Sequence, residues 1–423
     1  MFKKLGNIFK GDKVVWMIFF ILCLVSIVEV FSASSFLTYK SGSYLGPLMR
    51  HITFIGLGTI AMLSIVYVPC RYFKIFTVPG LIVSFFLLLY VLVLGHATNG
   101  AARWIDLGFV QFQPSEMGKG AVILAVAQIL SAFHTDEGTS RPAFWWVIII
   151  SGSIIVPIFF ENFSTAALLS AVVLVMMFIA RVSYDMLGKL IGTGLLAVVL
   201  AVTLVMALGE DHSQLSAQAK ENSTLVEKTA DDDAPRRGGL LHRFDTWKSR
   251  IMKFTNNNEV MPDEYDLDKD AQVAHANIAI TKSNVIGRGP GNSEERDFLS
   301  QAFSDFIYAI IIEEMGIEGA AFVAILYVIL FWRVGHIARN CANTFPAYLA
   351  MGIGLMMVFQ AMFNMMVAVG MAPVTGQPLP LISRGGTSTI FNCVYLGVLL
   401  SISMSAKKRE PAMQAQKTAS KNI

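Results

Sequence analysis

The segment AFSDFIYAIIIEEMG, residues 302–316, places three acidic residues in and beside a run of apolar side chains. Burying a charged side chain in a bilayer costs about 2.5–3.5 kcal/mol on insertion scales, so such acids usually serve a function. On one helix, Asp305 and Glu313 are about 80° and 12 Å apart, and Glu314 lies about 180° from Asp305. The spacing therefore predicts a single candidate base, Asp305, at the outer surface. It places Glu313 and Glu314 deeper, paired with backbone groups or with a lysine.

The segment QPSEMGK, residues 113–119, places Glu116 and Lys119 on one face of a helix, because side chains three positions apart are neighbours. Two interpretations are open. The pair neutralises itself and holds a helix bundle together, or the two groups belong to a substrate site. The second is favoured, since ionisable residues inside a membrane are functional by default. Lys119 is also the candidate partner of Glu313 and Glu314.

Three further stretches fall between apolar runs. NGAARW contains Arg103 beside a tryptophan, which is typical of an interfacial anchor or of an anion site facing the outer leaflet. GRGPGNS ends at Ser293 and is a glycine-rich turn whose N–H groups can approach a phosphate, a weak signal alone. PLPLISRGGTS contains Arg384 and irregular backbone that membrane depth tolerates only where protein buries it or water reaches it. These features predict a polar, partly basic cavity that opens outward and suits a lipid-linked anionic substrate.

A membrane must position these residues, because the 423-residue chain is 54% hydrophobic and only 15% charged. Soluble domains carry about 25% charged residues. A helix that crosses a bilayer needs about 20 mostly apolar residues. Ten such runs are present: 14–33, 51–69, 74–94, 115–133, 143–160, 163–180, 186–208, 304–332, 345–370 and 386–405. The sequence predicts an all-α polytopic membrane protein with about ten transmembrane helices in a single integral membrane domain spanning residues 1–423.

Lysine and arginine indicate the orientation of these helices, because basic residues concentrate in cytoplasmic loops. They precede the first run, follow the last and fill every second short loop: Lys3, Lys4, Lys10, Lys13, Arg71, Lys74, Arg141, Arg181, Lys189, Arg333, Arg339, Lys407, Lys408 and Arg409. Both termini are therefore predicted to be cytoplasmic, with residues 406–423 as a tail. Residues 209–303 then form one large extracytoplasmic loop between helices seven and eight. Within it, residues 261–284 predict a short amphipathic helix on the membrane surface or an ordinary loop helix.

Composition also argues against several other classes of protein. The net charge of +3 reflects the loop bias, so no nucleic-acid partner is expected. The four cysteines show neither a disulfide framework nor zinc-site spacing. The basic and then apolar start mimics a signal peptide, but its apolar run is long and more runs follow. An uncleaved first helix in the cytoplasmic (inner) membrane is therefore predicted.

Five motifs, NGAARW, QPSEMGK, GRGPGNS, AFSDFIYAIIIEEMG and PLPLISRGGTS, resemble in this order those of the SEDS family (shape, elongation, division and sporulation), which includes FtsW and RodA. The resemblance covers about residues 14–405. It implies a peptidoglycan glycosyltransferase that polymerises lipid II, with Asp305 as the essential acid. The chain departs from the family pattern at Phe303, Ser304 and Arg384, where the family has histidine, threonine and tyrosine. Ser293 after the glycine turn is typical of the division enzyme FtsW, so a division role is favoured over a RodA-like role in elongation.

A mechanism can be stated as a hypothesis, since inverting glycosyl transfer needs a base on the acceptor hydroxyl group and stabilisation of the leaving group. Asp305 takes the proton from the 4-hydroxyl group of an acceptor sugar, whose oxygen attacks C1 of the donor glycan with inversion. The undecaprenyl diphosphate leaves toward Arg103 and Lys119, with Mg²⁺ or Mn²⁺ as a candidate cofactor. Substrate contacts are expected from Arg103, Glu116, Lys119, Ser293 and Arg384. One base suffices, whereas two carboxylates are the glycosidase pattern.

The implied partners are lipid II, a class B penicillin-binding protein that acts as the transpeptidase, and proteins of the division complex. Two alternatives remain from other functional classes. A lipid II flippase would use Glu313 and Glu314 as relay groups, and a scaffold would only recruit another polymerase.

Overall fold

The computed structural model describes residues 9–33, 46–94, 104–106, 111–136, 138–208, 248, 267–299, 302–374 and 376–407. Arg103, a predicted site residue, lies outside these ranges. The α-helices in chain order are α1 (Lys13–Ala33), α2 (Gly46–Val66), α3 (Thr77–Leu94), α4 (Pro114–Ala132), α5 (Arg141–Glu161), α6 (Phe163–Ile179), α7 (Tyr184–Leu208), α8 (Leu267–Lys282), α9 (Ile307–Arg339), α10 (Thr344–Ala368) and α11 (Thr387–Lys407).

Short elements join some of these helices. A 3₁₀ helix (Cys70–Phe76) leads into α3, and a second (Glu295–Asp297) follows α8. Two small antiparallel hairpins flank α4. Strand β1 (Ile105–Asp106) pairs with β2 (Gln111–Phe112) before it, and β3 (His134–Thr135) pairs with β4 (Gly138–Thr139) after it. These hairpins leave the architecture essentially all-helical.

The ten predicted apolar runs all fall on helices, namely α1–α7 and α9–α11. Within the described ranges, seven helical segments are long and apolar enough to cross a membrane: α1, α2, the 3₁₀ helix with α3, α5, α9, α10 and α11. The prediction of an all-α polytopic membrane protein is therefore confirmed. That α4, α6 and α7 also cross the bilayer stays a prediction, as does the orientation.

Helix α4 lies in the core of the bundle and packs against α3, α5 and α10. Most of its residues are buried, and Ala121, Ala125 and Ala127 let neighbouring helices approach closely, as small residues do inside membranes. On α10, Gly352 gives the same close approach, since a side chain there would collide with Ile123 of α4. Charged groups on the first turns of α4 are therefore held in a fixed position.

The start of α9 differs from its prediction. The predicted run begins at residue 304, whereas the helix begins at Ile307 and residues 302–306 form turns before it. Asp305 therefore does not lie on the same helix as Glu313, and the rotation expected for a shared helix does not apply. Apolar side chains on both sides of Asp305 hid this boundary. The helix is also interrupted at Gly316, whose φ of 70° and ψ of −175° are not helical.

The predicted loop helix is confirmed as α8, which packs against α9. Its buried residues are Ala274, Ala276 and Ala279. Four apolar residues suggested an amphipathic helix: Val273, Ala276, Ile278 and Ile280. Ala276 is buried and Ile278 and Ile280 are half-buried, while the side chain of Val273 lies outside the described residues. Two compact units emerge from the packing. The first holds residues 1–184, 266–371 and 375–423, and the second holds 185–265 and 372–374. Helix α7 belongs almost entirely to the second unit and exposes most of its described side chains.

An ion pair joins the start of α1 to the end of α9. Asp12 accepts hydrogen bonds at Oδ1 from the backbone N–H of Val14 (2.9 Å) and Val15 (3.3 Å). Its Oδ2 accepts from Nε (2.8 Å) and Nη2 (2.6 Å) of Arg333. Both helix ends were assigned to the cytoplasmic side from their charges, and the structure brings them together. Burial alone raises the pKa of Asp12, but the Arg333 hydrogen bond and charge, with the two N–H groups, hold it below its ordinary 3.8.

Asp12→Asn should lower stability at neutral pH by about 1.5–3 kcal/mol, the usual value of hydrogen bonds to charged groups. Because the folded-state pKa of Asp12 is lowered, its contribution is complete above the ordinary value of 3.8 and is lost as the pH falls through the folded-state value. Thermal unfolding in detergent should therefore separate parent and variant at about pH 7 and at about pH 5, and less at about pH 3. A gap that persists at the lowest pH would contradict this account.

Candidate functional site

The loop between α10 and α11 packs into the bundle, and its carbonyl groups are bound by side chains of the helices. The amide nitrogens of Gln360 and Asn364 donate to the carbonyls of Pro378 (3.0 Å) and Gln377 (2.7 Å). The hydroxyl of Tyr327 donates to the carbonyl of Pro380. Irregular backbone at this depth is thus buried by protein, one of the two situations that the sequence analysis allowed.

One residue of this loop is strained. Leu381 has a φ of 68° and is 1% exposed. A bulky residue in this region costs on the order of 1–3 kcal/mol and persists only where the surroundings hold it. Such strain concentrates at functional sites, which marks the loop as a candidate.

The turn that carries Asp305 is bound directly to this loop. Ser383 donates its hydroxyl to the carbonyl of Ser304 (2.5 Å), and the backbone N–H of Arg384 donates to the carbonyl of Phe303 (2.9 Å). Asn364 donates to the carbonyl of Asp305 (2.9 Å). The Asp305 side chain is half-buried and accepts a hydrogen bond at Oδ1 from the Ser304 hydroxyl (3.1 Å). The backbone of Asp305 is therefore held on two sides.

Arg384 belongs to the same framework, which consists of the loop between α10 and α11 and the turn of Asp305 bound to it. Its guanidinium lies over the ring of Phe303, 5.2 Å from the centroid, so two of the positions that depart from the family pattern contact each other. Burial, and second the positive charge of Arg50, lower the pKa of Arg384. Within the described ranges, no carboxylate forms an ion pair with Arg384. A half-buried cation beside a second cation is an environment that favours an anionic ligand.

Glu116 and Lys119 form a buried pair, as their spacing predicts. Lys119 Nζ donates to Glu116 Oε1 (2.7 Å) and to Gln360 Oε1 (3.0 Å), and the two side chains are 2% or less exposed. Gln360 in turn holds the carbonyl of Pro378. The pair therefore supports the loop beneath Asp305 through Gln360. The suggestion that Lys119 pairs with Glu313 or Glu314 is wrong, because Lys119 is bound to partners on α4 and α10.

Glu313 and Glu314 are bound instead by the glycine-rich turn. Glu314 accepts from the backbone N–H of Gly291 (2.9 Å) and Ser293 (3.2 Å). Glu313 accepts from the N–H of Glu294 (3.0 Å) and from the hydroxyl of Ser293 (2.5 Å). Both carboxylates are fully buried. Successive N–H groups in a turn make an anion-binding concavity, and here the anions are the protein's own carboxylates. The turn was predicted to approach a phosphate, and the N–H groups of Gly291, Ser293 and Glu294 are already used in this structure.

Two glycines allow this arrangement. Gly287 has a φ of 79° and Gly316 a φ of 70°, a region that favours glycine. A side chain at Gly287 would collide with the carbonyl of Glu314, and one at Gly316 with the carbonyl of Val285. The turn and the interruption of α9 therefore require each other, and the loop that precedes α9 is fixed to its first turns.

Charged side chains surround the glycine-rich turn. Arg296 Nη1 donates to Ser32 of α1 (2.9 Å) and to the carbonyl of Gly291 (2.7 Å), and lies 4.0 Å from Glu314 Oε1. The Ser32 hydroxyl donates to Glu314. Hydrogen bonds with Glu295 and then Glu294 raise the pKa of Lys282. Glu314 is thus connected to α1 as well as to the turn.

An open groove of about 350 Å³ lies between α1 and α2, two helices that are long and apolar enough to cross a membrane. Its walls are almost entirely apolar: Phe19, Phe20, Cys23, Leu24, Ile27, Val28, Ile55 and Thr59. Ile55 and Thr59 follow Arg50 along α2 by about one and a half and two and a half turns. The apolar groove therefore lies along the same helix as Arg50.

Within the described ranges, no group of three or more His, Cys, Asp or Glu side chains could hold a metal ion. Mg²⁺ often binds through one or two carboxylates together with substrate phosphates. Asp305 is one carboxylate of this kind, so the Mg²⁺ or Mn²⁺ suggested by the sequence stays a prediction.

The structure thus brings Asp305 and Arg384 onto one framework and connects Glu116 and Lys119 to it through Gln360. Ser293 lies elsewhere, on the carboxylates of α9. The supporting residues Gln360, Asn364 and Gln377 were not predicted from the sequence. Their signal was available, since isolated amide side chains within or beside apolar runs need partners.

Comparisons with known proteins agree with this architecture. The family model FTSW_RODA_SPOVE, described as "Cell cycle protein", matches residues 12–231 and 239–408. The "Probable peptidoglycan glycosyltransferase FtsW" of Coxiella burnetii is 27% identical over 92% of this chain and 95% of its own. "Stage V sporulation protein E" of Bacillus subtilis is 28% identical over 93% and 96%. "Peptidoglycan glycosyltransferase MrdB" of Escherichia coli K12 is 26% identical over 92% and 93%.

Solved structures show the same fold. A chain from a structure described as "Structural coordination of polymerization and crosslinking by a peptidoglycan synthase complex" aligns with a TM-score of 0.67 and 21% identity, over 95% of this chain and 98% of that chain. The rod shape determining protein RodA of Thermus thermophilus aligns with a TM-score of 0.62 and 21% identity, over 94% and 98%. With the family model matching most of its length, the chain is a multi-pass membrane protein that belongs to the FtsW/RodA/SpoVE family of cell cycle proteins.

Proposed function

We propose that this protein is an inverting peptidoglycan glycosyltransferase that polymerises lipid II into glycan strands. Two relatives over nearly the whole chain carry the name peptidoglycan glycosyltransferase. The observation that carries the proposal is the docking of the Asp305 turn onto the loop of Arg384, through Ser383, Arg384 and Asn364. One carboxylate is thereby held together with one cation that has no carboxylate partner among the described residues, and this is the minimum that inverting glycosyl transfer to a hydroxyl group requires.

In this mechanism Asp305 accepts the proton of the acceptor sugar's 4-hydroxyl group. At the same time, the oxygen of that hydroxyl group forms a bond to C1 of the donor. The bond from C1 to the diphosphate oxygen breaks, and the undecaprenyl diphosphate leaves as an anion without protonation. A general base contributes about 10²–10⁴-fold. Positive charge near the leaving oxygens adds a further large term. Arg384 is the described cation best placed for this role, because Lys119 is buried and bound to Glu116 and Gln360.

The apolar groove between α1 and α2 suits the polyprenyl part of the substrate. It is open toward the membrane, and its walls are almost entirely apolar. A polyprenyl chain lying there would have its diphosphate at the outer end of α2, near Arg50 and Arg384. A lipid-linked substrate can therefore reach the site from the side without leaving the bilayer.

Arg384→Ala should reduce the polymerisation rate by about 10–100-fold. This factor corresponds to the loss of about 1.5–3 kcal/mol, the usual value of hydrogen bonds to charged groups. Arg384→Lys should lose less, because it keeps the charge but not the planar fork that matches a phosphate. Initial rates against lipid II concentration measure both effects. If alanine and lysine variants match the parent, Arg384 has no role at the diphosphate.

The test of the function uses the purified protein in vesicles with fluorescent lipid II. One readout scores glycan strands, and the other scores movement of lipid II across the bilayer. Strands without movement are the expected result. Movement without strands would establish the flippase. Neither activity, with growth unaffected by Asp305→Asn, would establish a scaffold.

The proposed partner is a class B penicillin-binding protein, which would supply the cross-linking. A relative in structure comes from a complex described as coordinating polymerization and crosslinking. The polymerisation assay should therefore be run with and without this partner, and a higher rate with it is expected. An unchanged rate would remove the partner from the proposal.

The proposed cellular role is in division, with the other division proteins as further partners. Ser293 after the glycine turn supports this role, whereas the relatives include FtsW, SpoVE and MrdB alike. The test is complementation in two bacterial hosts, one depleted of its division polymerase and one of its elongation polymerase. Rescue of the division-depleted host alone is expected. Rescue of the elongation-depleted host alone would establish the RodA-like role.

A further inference from the structure

Residues 382–384 of the loop between α10 and α11 are hydrogen-bonded to two different parts of the protein. Ser383 and Arg384 bind the carbonyls of Ser304 and Phe303, which lie in the turn of Asp305. The carbonyl of Ile382 instead accepts a hydrogen bond from the hydroxyl of Ser26 on α1 (2.6 Å). The hydrogen bond from Ser26 therefore ties the segment 382–384 to α1.

The hydroxyl of Ser26 also lies 2.7 Å from Nε2 of His51 on α2. A hydroxyl group has one hydrogen, and a carbonyl oxygen can only accept. Because the hydrogen of Ser26 goes to Ile382, Nε2 of His51 must carry the hydrogen and donate to Ser26. Both side chains are 1% or less exposed, and Nδ1 of His51 has no hydrogen-bond partner within the described part of the chain. His51 thus acts on this chain of bonds through Nε2.

The strained residue beside Ile382 explains why this chain of hydrogen bonds is needed. Leu381 directly precedes Ile382 and holds its positive φ only while its surroundings force it to. Losing the bond to Ile382 would let the loop relax toward an ordinary conformation. Ser383 and Arg384 would then shift, and with them the turn that carries Asp305.

We propose that His51 is a positioning residue of the glycosyl-transfer site. Its Nε2–H orients Ser26, Ser26 holds the Ile382 carbonyl, and the segment 382–384 holds the turn of Asp305. The role rests on the proposed function, because only that function makes Asp305 the base. It explains why a histidine is buried near the start of α2.

A matched pair of variants separates the two ring nitrogens. His51→Gln can place an amide N–H where Nε2 lies, whereas His51→Asn is shorter and reaches only the position of Nδ1. The glutamine variant should keep a polymerisation rate close to that of the parent. The asparagine variant and Ser26→Ala should each lose about tenfold, the value of one hydrogen bond. The loss should appear in kcat more than in KM, and the double variant His51→Asn with Ser26→Ala should lose no more than Ser26→Ala alone.

A second readout needs no substrate. Hydrogen exchange at the backbone N–H of Leu379 and Arg384 should be faster in the asparagine variant than in the glutamine variant, with similar melting temperatures. Equal behaviour of the two variants in both readouts would overturn the proposal, and so would loss in the glutamine variant alone. If the parent makes no glycan strands, the proposed function fails, while the exchange experiment still decides whether His51 holds the loop.

Discussion

Asp305→Asn should reduce polymerisation of purified lipid II by about 10²–10⁴-fold, the contribution of a general base. Asparagine keeps the size of the side chain and can still accept from the Ser304 hydroxyl at its amide oxygen. The backbone carbonyl of residue 305 remains available to Asn364. The variant should therefore fold normally, with a melting temperature close to that of the parent, and lose the chemical step alone.

Glu318→Gln is a suitable control for this experiment. It makes the same chemical change at an exposed position of α9, and it should keep the parent's rate. Substrate binding should also survive in Asp305→Asn, since the groove and Arg384 are untouched. Polymerisation by Asp305→Asn at the parent's rate would remove Asp305 from the role of base.

Glu314→Ala should destabilise the glycine-rich turn and the first turns of α9 by about 3–5 kcal/mol, the cost of breaking a buried charged network by removing one partner. The change leaves the N–H groups of Gly291 and Ser293 without their acceptor, and it removes the carboxylate that faces Arg296. Glu314→Gln should cost less, because one oxygen still accepts. Thermal unfolding and hydrogen exchange over residues 285–296 measure the effect.

The expected exchange pattern is local. Protection should fall in the glycine turn and in the first turns of α9, while α10 and α11 keep theirs. An alanine variant as stable and as protected as the parent would show that the carboxylate does not hold the turn. Loss of lipid II binding without loss of stability would instead support a phosphate site in the turn.

Much of the fold follows from composition, because bilayer thickness fixes the length of an apolar helix. Every predicted run falls on a helix for this reason. The start of α9 could not be placed, since Phe303 and Phe306 extend the apolar pattern through a turn. Local sequence also could not show that Glu313 and Glu314 bind the glycine turn, which lies about 20 residues earlier in the chain.

In the candidate site, too, contacts between residues close in sequence could be predicted, whereas contacts between distant residues could not. The pairing of Glu116 with Lys119 is local and follows from helical spacing. The contacts of Asp305 with the loop of Arg384 join residues about 80 positions apart, and only the folded chain reveals them. His51 and Ser26 lie on different helices, so their link to Ile382 was also out of reach.

The interruption of α9 at Gly316 has a mechanical consequence. The segment before it is fastened to the glycine turn, and the segment after it is fastened at its far end by Arg333 to Asp12. A helix bends most easily where its ladder of hydrogen bonds is broken. When the bilayer thins or thickens, the long segment after Gly316 can therefore tilt about this residue, while the short segment before it and the neighbouring Asp305 keep their contacts with the rest of the protein.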